Sequence, residues 1–310
     1  MIKEYPDYYK CFSCVADKCP ETCCAGWEIG IDEETYYFYQ TVTGKTRERL
    51  NRYLKEDEDG YHFQLTENGR CPFLNERNLC DLYMEFGERG MSITCKEHPR
   101  FITECGEYSQ VDLSLSCPEA GRLFFETPLL PKIERERDEF SAEGLESVEK
   151  GKREQYLKKR NNKLKDIREC DSIYLLMEKW LKEEEIDIKK EPLRIEEFLK
   201  IQEIRDDSWK ELIIGKAEST NIKKLFEKHE PWTRKLIYYF IFRYTMDEFY
   251  EGEAFETDLM ALRGTVIILL LSEEIKGGLP LASRKFSSEI EYSEKNASLI
   301  RMKKPSAIPE

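Results

Sequence analysis

The sequence predicts a mainly α-helical protein: an irregular, cysteine-rich, metal-bound N-terminal module with a few short strands, followed by a helical C-terminal domain. Charged residues make up 36% of the 310 positions, against 16 glycines and 12 prolines, and this balance favours long solvated helices over turn-rich β structure. Ten of the 11 cysteines lie in the first 117 residues, so the ligand chemistry is concentrated at that end.

The charge limits the partners that the protein can attract. The chain carries 49 basic and 62 acidic side chains, a net charge of −13. We therefore expect no nucleic-acid partner, whereas a cationic, lysine-bearing protein suits the charge. Residues 1–126 hold 14 basic and 24 acidic side chains, a net −10, so the acidity lies where the cysteines are.

No segment reads as a membrane span or a leader. The longest apolar run, residues 264–271, is far shorter than the roughly 20 residues that a spanning helix needs. Residues 1–10 are polar and rich in tyrosine, without the apolar core of a signal peptide. These features predict no contact with a membrane and a cytoplasmic location.

In that compartment, structural disulfides are disfavoured, and the cysteines predict thiolate ligands for a soft metal or an iron–sulfur centre. The first set runs C-x2-C-x4-C-x3-CC over residues 11–24; later cysteines stand in C-P-F-L-x5-C, T-C-x3-P-R and S-C-P-E-A, at residues 71–80, 94–100 and 116–120. Four dispersed segments differ from the two knuckles of a zinc ribbon and favour a thiolate cage closed by the whole fold. The spacing alone does not identify the metal.

These segments resemble the flagellin lysine-N-methylase family and the related zinc- or iron-chelating domain proteins. The resemblance spans residues 11–122. It implies an enzyme, a protein-lysine N-methyltransferase that transfers methyl groups from S-adenosylmethionine to lysines of flagellin and depends on an iron–sulfur cluster, of the 4Fe–4S type, with zinc as the alternative. The metal ligands that it implies are Cys14, Cys19, Cys23, Cys24, Cys71, Cys80, Cys95 and Cys117.

Several points stay open in the sequence. The eight cysteines could form two four-thiolate sites or one site with structural thiols, and Cys23 and Cys24 would point in opposite directions in an extended backbone. His98 stands where the family usually has an aromatic residue, and either ligates a metal or packs. Cys11 and Cys105 fall outside the pattern.

The chemistry is equally open. No glycine-rich strand-to-helix loop marks a methyl-donor site, and no catalytic base can be named. The competing hypothesis is a non-catalytic zinc- or iron-chelating module with a helical interaction domain.

Hydrophobic patterning divides the chain into a cysteine-rich module (1–127), a charged helix or linker (128–167) and a helical domain (168–310). In the module, it predicts a strand at residues 27–31, a helix capped by Asp32, a second helix at 46–55, a strand at 111–115 and a helix starting at Pro118. In the helical domain it predicts helices around residues 175–181 and 236–244, and at 191–204, 207–214 and 256–274.

Overall fold

The computed structural model describes residues 1–58, 60–137, 147–203, 206, 208–251 and 256–303. The chain forms two compact units that alternate along the sequence. We call one the helical unit (Met1–Phe12, Ile102–Ser116 and Ala120–Glu310) and the other the cysteine unit (Ser13–Phe101 and Cys117–Glu119).

Helices make up 56% of the structure and strands 13%, so the prediction of a mainly α-helical protein with a few short strands is confirmed. The strands are β1 (Ile2–Pro6), β2 (Ile29–Ile31), β3 (Leu54–Asp57), β4 (Gly60–Phe63), β5 (Arg100–Cys105), β6 (Tyr108–Leu113) and β7 (Ile133–Arg137). The α-helices are α1 (Glu33–Thr41), α2 (Gly44–Tyr53), α3 (Asp81–Phe86), α4 (Ile93–Glu97), α5 (Pro118–Phe125), α6 (Ser147–Glu169), α7 (Ile173–Glu183), α8 (Glu191–Ile201), α9 (Ile222–Lys228), α10 (Trp232–Tyr244), α11 (Glu248–Glu251), α12 (Thr257–Glu274), α13 (Gly278–Phe286) and α14 (Glu294–Arg301).

The cysteine unit contains a three-stranded antiparallel sheet in the order β2-β4-β3. Ile29 and Ile31 are buried on one face of β2, while Gly30 between them is exposed, so the alternation in the sequence is borne out. Asp32 then caps α1 and accepts a hydrogen bond from the backbone N–H of Thr35 at 2.9 Å, as the sequence predicts.

The helical unit contains a four-stranded sheet in the order β5-β6-β1-β7. β1 pairs in parallel with β6 and antiparallel with β7. Every residue of β6 is buried, including Gln110 and Asp112. This strand therefore lies in the interior, where its polar side chains need hydrogen-bond partners.

The largest apolar core lies in the helical unit, around α10 and α12. α12 is buried from Thr257 to Leu271, which is why its sequence shows no polar face. The buried Arg263 on this helix forms an ion pair with the buried Glu191 at 2.6 Å and donates to the carbonyl of Ile300 at 2.8 Å. The charge of Arg263 is thus paired.

α6 has a strongly charged sequence, and one of its faces is buried through Leu164, Ile167 and Arg160. The guanidinium of Arg160 donates to the hydroxyl of Tyr108 at 2.5 Å and to the carboxylate of Glu4. α6 is therefore fastened to the sheet of the helical unit by a fully buried ion pair.

Two features of the structure are not expected from the sequence. Residues 1–10 read as polar, yet β1 lies inside the sheet. The helix predicted at residues 207–214 is wrong for 208–214, which form turns; Asp207 lies outside the described residues. Buried Trp209 and Ile213 have helical spacing, but the side chain of Asp206 accepts a hydrogen bond from the backbone N–H of Ser208 at 3.1 Å, a turn geometry that competes with a helix.

Within the described part of the chain, no helix is both long enough and apolar enough to span a bilayer.

Candidate metal centre

The eight predicted ligands all lie in the cysteine unit, whereas Cys11, Cys105 and Cys170 lie in the helical unit. All 11 cysteines have free thiols in the structure. The sequence motifs are thus brought into one compact body, and local backbone pairing arranges them there.

Cys24 and Cys71 are neighbours because two distant segments pair. The backbone N–H of Cys71 donates to the carbonyl of Cys24 at 2.7 Å, and an isolated antiparallel bridge joins Ala25 to Arg70. Gly26 has a φ of +82°, a left-handed conformation that glycine adopts without strain. The backbone N–H of Gly26 donates to the carbonyl of Gly69 at 2.8 Å and extends the pairing, which places Cys24 beside Cys71 although 47 positions separate them.

The C-P-F-L-x5-C motif forms a closed loop. An antiparallel bridge joins Leu74 to Cys80, and the backbone N–H of Leu74 donates to the carbonyl of Cys71 at 3.1 Å. Inside the loop, the side chain of Asn75 accepts hydrogen bonds from the backbone N–H of Arg77 at 2.9 Å and of Leu79 at 3.1 Å. The loop therefore returns Cys80 to the side of Cys71.

Cys95 is placed by the short helix α4. Ser92 caps this helix, and its hydroxyl accepts a hydrogen bond from the backbone N–H of Cys95 at 3.4 Å. The carboxylate of Asp32 accepts from the backbone N–H of Ile93 at 2.8 Å, so one side chain holds the starts of both α1 and α4. The position of Cys95 thus depends on the cap of another helix.

Cys24, Cys71, Cys80 and Cys95 form one group, which we call the four-thiol group. Cys71 is 6% exposed, and the other three are partly buried against the same apolar core, built from residues such as Tyr39, Phe63 and Phe73. The negative charge of Cys24 opposes ionisation of each of the other three, and that of Cys80 opposes ionisation of Cys71 and Cys95. The four side chains are therefore electrostatic neighbours.

Burial suppresses the ionisation of three of these four thiols. It raises the pKa of Cys71 to about 12 and that of Cys95 to about 11, and it raises the pKa of Cys80 as well. Thiols held in this state are neutral near pH 7, and a metal cation supplies the positive charge that allows such sulfurs to bind as thiolates.

Cys23 and Cys24 do not point apart. The chain bends at both residues, and a hydrogen bond joins their thiols. This bond raises the pKa of Cys23 and lowers that of Cys24. Cys23 also interacts with the charges of Cys14 and Cys95, so it connects the four-thiol group to the first cysteine segment.

His98 lies beside this segment. Its ring centroid is 6.1 Å from that of Trp27, and the indole N–H of Trp27 donates to the carbonyl of Cys23 at 2.7 Å. Burial, with a contribution from Arg100, lowers the pKa of His98 to about 4. His98 is therefore a neutral imidazole at pH 7. A neutral ring is consistent both with a packing role and with a nitrogen ligand to a metal.

Sequence reasoning did not identify Tyr39. Its side chain is fully buried, its hydroxyl donates to the carbonyl of Gly90 at 2.9 Å, and burial together with the charges of Cys95, Cys80 and Cys71 raises its pKa. Tyr39 therefore adjoins three members of the four-thiol group. Its position on α1 gives no signal in the sequence, because an aromatic residue there reads as ordinary core.

The four sulfurs of the four-thiol group are donors that suit a soft metal ion or an iron–sulfur cluster. Among the described residues, no set of three or more His, Cys, Asp or Glu side chains is already arranged as a metal site.

Comparison with known proteins gives three related matches, each over 129 residues and 40% of this chain. The flagellar biosynthetic protein FliU of Salmonella muenchen is 29% identical, over 76% of its length. The lysine-N-methylases of Salmonella typhimurium and Salmonella choleraesuis are 28% and 27% identical, over 32% of theirs. The resemblance to the lysine-N-methylase family is confirmed.

The similarity is partial. The chain spans about a third of the length of the two lysine-N-methylases that it matches. No family model and no solved structure matches it.

Proposed function

We propose that the protein is a cytoplasmic protein-lysine N-methyltransferase that uses S-adenosylmethionine to methylate flagellin. The observation that carries this proposal is the similarity to two proteins named lysine-N-methylase. The name of the third relative, a flagellar biosynthetic protein, supports a flagellar substrate. The acidic N-terminal region, with 24 acidic against 14 basic side chains in residues 1–126, favours a cationic substrate.

We further propose that Cys24, Cys71, Cys80 and Cys95 hold one metal centre, an iron–sulfur cluster. Support comes from the charge interactions among these thiols and from the apolar core against which all four pack. A thiolate-bound cluster supplies redox and Lewis-acid chemistry. Cys14, Cys19, Cys23 and Cys117 would form a second set, with the Cys23–Cys24 hydrogen bond as the connection between the two.

The residues around the four-thiol group would exclude water and fix the ligands. Tyr39 of α1, on which the charges of Cys71, Cys80 and Cys95 act, would shield the group from water. Arg49 holds the motif loop by donating to the carbonyl of Pro72 at 2.6 Å and to the carboxylate of Asp81 at 2.7 Å. Such surrounding contacts determine the orientation of metal ligands. The lysine amine of the substrate must be neutral to accept a methyl group, so its proton must first pass to a base.

The deciding experiment is anaerobic purification, followed by iron, zinc and acid-labile sulfide analysis and a visible spectrum of the same sample. Near-equal iron and sulfide with broad visible absorption would support the cluster. The same protein is then incubated with S-adenosylmethionine and flagellin, and methylated lysines are measured by mass spectrometry. A cluster-loaded protein that leaves flagellin unmethylated would overturn the proposed activity.

The second candidate is a non-catalytic zinc- or iron-chelating module. It is favoured by the close packing of the four thiols on the small core of the cysteine unit, where a metal can contribute directly to folding. Zinc without sulfide in protein never exposed to air, and no methylation of flagellin, would select this candidate.

A further inference from the structure

Two buried carboxyl groups in the helical unit have no role in the proposed metal chemistry. Asp112 lies on β6 and is 2% exposed, and Glu291 ends a π-helical turn, Ser287–Glu291, and is 8% exposed. π-helical turns are rare and are often found at functional positions. Both carboxyl groups are bound by hydroxyl groups, a pattern that allows either a charged or a protonated form.

Asp112 is held by one hydroxyl and one amide. The hydroxyl of Tyr8 donates to Asp112 Oδ1 at 2.7 Å, and the backbone N–H of Leu113 donates to the same oxygen at 2.7 Å. The charged and titratable groups that also act on Asp112 are Arg243 of α10, which favours its ionisation, and Glu291, which opposes it. Tyr239 of α10 interacts with both carboxyl groups.

Glu291 is held by two tyrosines of α10. The hydroxyl of Tyr239 donates to its two oxygens at 3.0 and 3.2 Å, and that of Tyr244 donates at 3.0 Å. The guanidinium of Arg243 lies over the ring of Tyr244 at 4.8 Å, with that of Arg301 of α14 at 5.3 Å.

The guanidinium of Arg243, whose charge acts on both carboxyl groups, is already engaged. Arg243 forms an ion pair with Asp247 at 3.2 Å, and Asp247 also accepts a hydrogen bond from Thr103 at 2.9 Å. The charge of Arg243 is therefore shared with a third carboxylate. Two further negative charges in this interior are poorly compensated, which favours a proton on one of them.

A row of serines joins the two elements that carry these carboxyl groups. The hydroxyl of Ser114, two residues after Asp112, lies 3.0 Å from that of Ser287, the first residue of the π turn. It also lies 2.7 Å from the hydroxyl of Ser116. The end of β6 is thus bonded to the π turn through groups that rotate freely between donor and acceptor.

We propose that Asp112 and Glu291, with their tyrosine and serine partners, hold one exchangeable proton, and that this proton locks β6 onto the π turn of the helical unit. Release of the proton leaves two carboxylates that repel each other beside the engaged guanidinium of Arg243, and the repulsion weakens the contact between β6 and the π turn. Asp112 stands five residues before Cys117, so the lock lies at the start of the segment that carries the last predicted ligand. The device is independent of the proposed methyltransferase activity.

The ionisation behaviour agrees with this geometry. Burial raises the pKa of Asp112 to about 7, against the opposite effect of its hydrogen bonds from Tyr8 and Leu113. Burial also raises the pKa of Glu291. A carboxyl group whose pKa is higher in the folded state than in the unfolded chain stabilises the fold less as the pH rises between those two values. The lock is therefore strongest below about pH 4, near the unfolded value, and weakens towards pH 7.

The test is infrared spectroscopy of the full-length protein between pH 5 and pH 9. A protonated carboxyl group gives a carbonyl band that a carboxylate lacks. We expect a band that disappears as the pH passes neutrality, that shifts in wild-type protein made with carboxyl-¹³C aspartate, and that is lost in Asp112→Asn. Tyr8→Phe removes a donor that favours the charged form, so the loss of the band should move to higher pH.

The strength of the contact between β6 and the π turn is measured by urea unfolding across the same pH range. The wild-type midpoint should fall as the pH rises, and the fall should be smaller in Asp112→Asn than in Asp166→Asn, the matched control at an exposed position of α6. A wild-type protein without a titrating carboxyl band near neutral pH would overturn the proposal, even if every variant fails to fold. A band that is unaffected by aspartate labelling would also overturn the role of Asp112.

Discussion

At the scale of single residues, Cys71 carries the clearest consequence for the candidate metal centre. It is 6% exposed, and its backbone is bonded to that of Cys24. Cys71→Ser replaces a soft thiolate with a hard hydroxyl, and we expect metal affinity to fall at least ~10-fold, the cost of disturbing even a surrounding contact. Cys11→Ser, an exposed thiol of the helical unit, is the control. Metal per protein, measured after anaerobic purification, should drop only in the first variant; equal content in both would contradict the assignment.

Arg160 carries the clearest consequence for stability. The guanidinium is fully buried and its ion-pair partner, Glu4, is 2% exposed. Arg160→Met leaves a buried carboxylate short of a partner, which should lower the free energy of unfolding by about 3 kcal/mol. Lys158→Met, at an exposed position of the same helix, should change it by less than ~0.5 kcal/mol. Urea unfolding compares the two, and similar losses would show that the buried pair contributes nothing.

At the scale of elements, alanine substitution of two helical glycines should change the stability in opposite directions. A Cβ on Gly264 of α12 would lie 2.9 Å from the ring of Phe240 and 3.1 Å from that of Phe286, whereas a Cβ on Gly151 of α6 meets nothing within 4 Å. Gly264→Ala should therefore destabilise by roughly 1–3 kcal/mol through overpacking. Gly151→Ala should stabilise by about 0.5–1 kcal/mol through helix propensity. Thermal unfolding of both variants tests this, and a stabilised Gly264→Ala would contradict the packing of α10, α12 and α13.

The cap formed by Asp32 connects two helices. Burial opposes its ionisation, but hydrogen bonds from the backbone of Ile93 and Thr35 outweigh this effect and lower the pKa of Asp32. Because the folded pKa is below the unfolded one, its contribution is complete above the unfolded value of about 4 and is lost as the pH falls through the folded value.

Asp32→Ala should therefore cost about 1–2 kcal/mol at pH 7 and progressively less in acid. It should also lower metal content, because α4 carries Cys95. Ser172→Ala removes a comparable cap from α7 in the helical unit and should leave metal content unchanged. Unfolding free energies from pH 3 to pH 7, with metal analysis at pH 7, distinguish the two. An unchanged metal content in Asp32→Ala would show that the cap is not needed to position the ligands of the candidate centre.

Elements set by local chemistry could be predicted from the sequence, and those set by distant pairing could not. Asp32 before two glutamates and Pro118 at a helix start are local signals, and both helices begin where they predict. β1 was missed because its burial depends on pairing Ile2 with Tyr108, more than a hundred residues away. The eight cysteines were recognisable as motifs, but the pairing of Cys24 with Cys71 across 47 positions had no sequence signal, so the membership of the four-thiol group had to come from the structure.

At the scale of the whole molecule, the two units have separate apolar cores. Among the described residues, the core of the cysteine unit contains nine buried side chains, from Ile29 to Leu82, and the four thiols pack against or within it. The core of the helical unit is far larger and is built around α10 and α12. A small core supplies little free energy, so a metal should matter much more to the cysteine unit than to the helical unit.

Metal removal should therefore loosen one unit only. We expect anaerobic treatment with a strong chelator to speed amide hydrogen exchange at least ~10-fold in the backbone that positions the thiols, residues 24–31, 71–80 and 92–97. Exchange in α10 and α12 should stay unchanged, because their protection comes from burial within their own core. Cys11→Ser protein should respond like the wild type, and Cys71→Ser protein should exchange fast before any chelator is added. Equal acceleration in both units would mean that the metal stabilises the whole chain. No acceleration in either unit would show that the metal does not stabilise the cysteine unit.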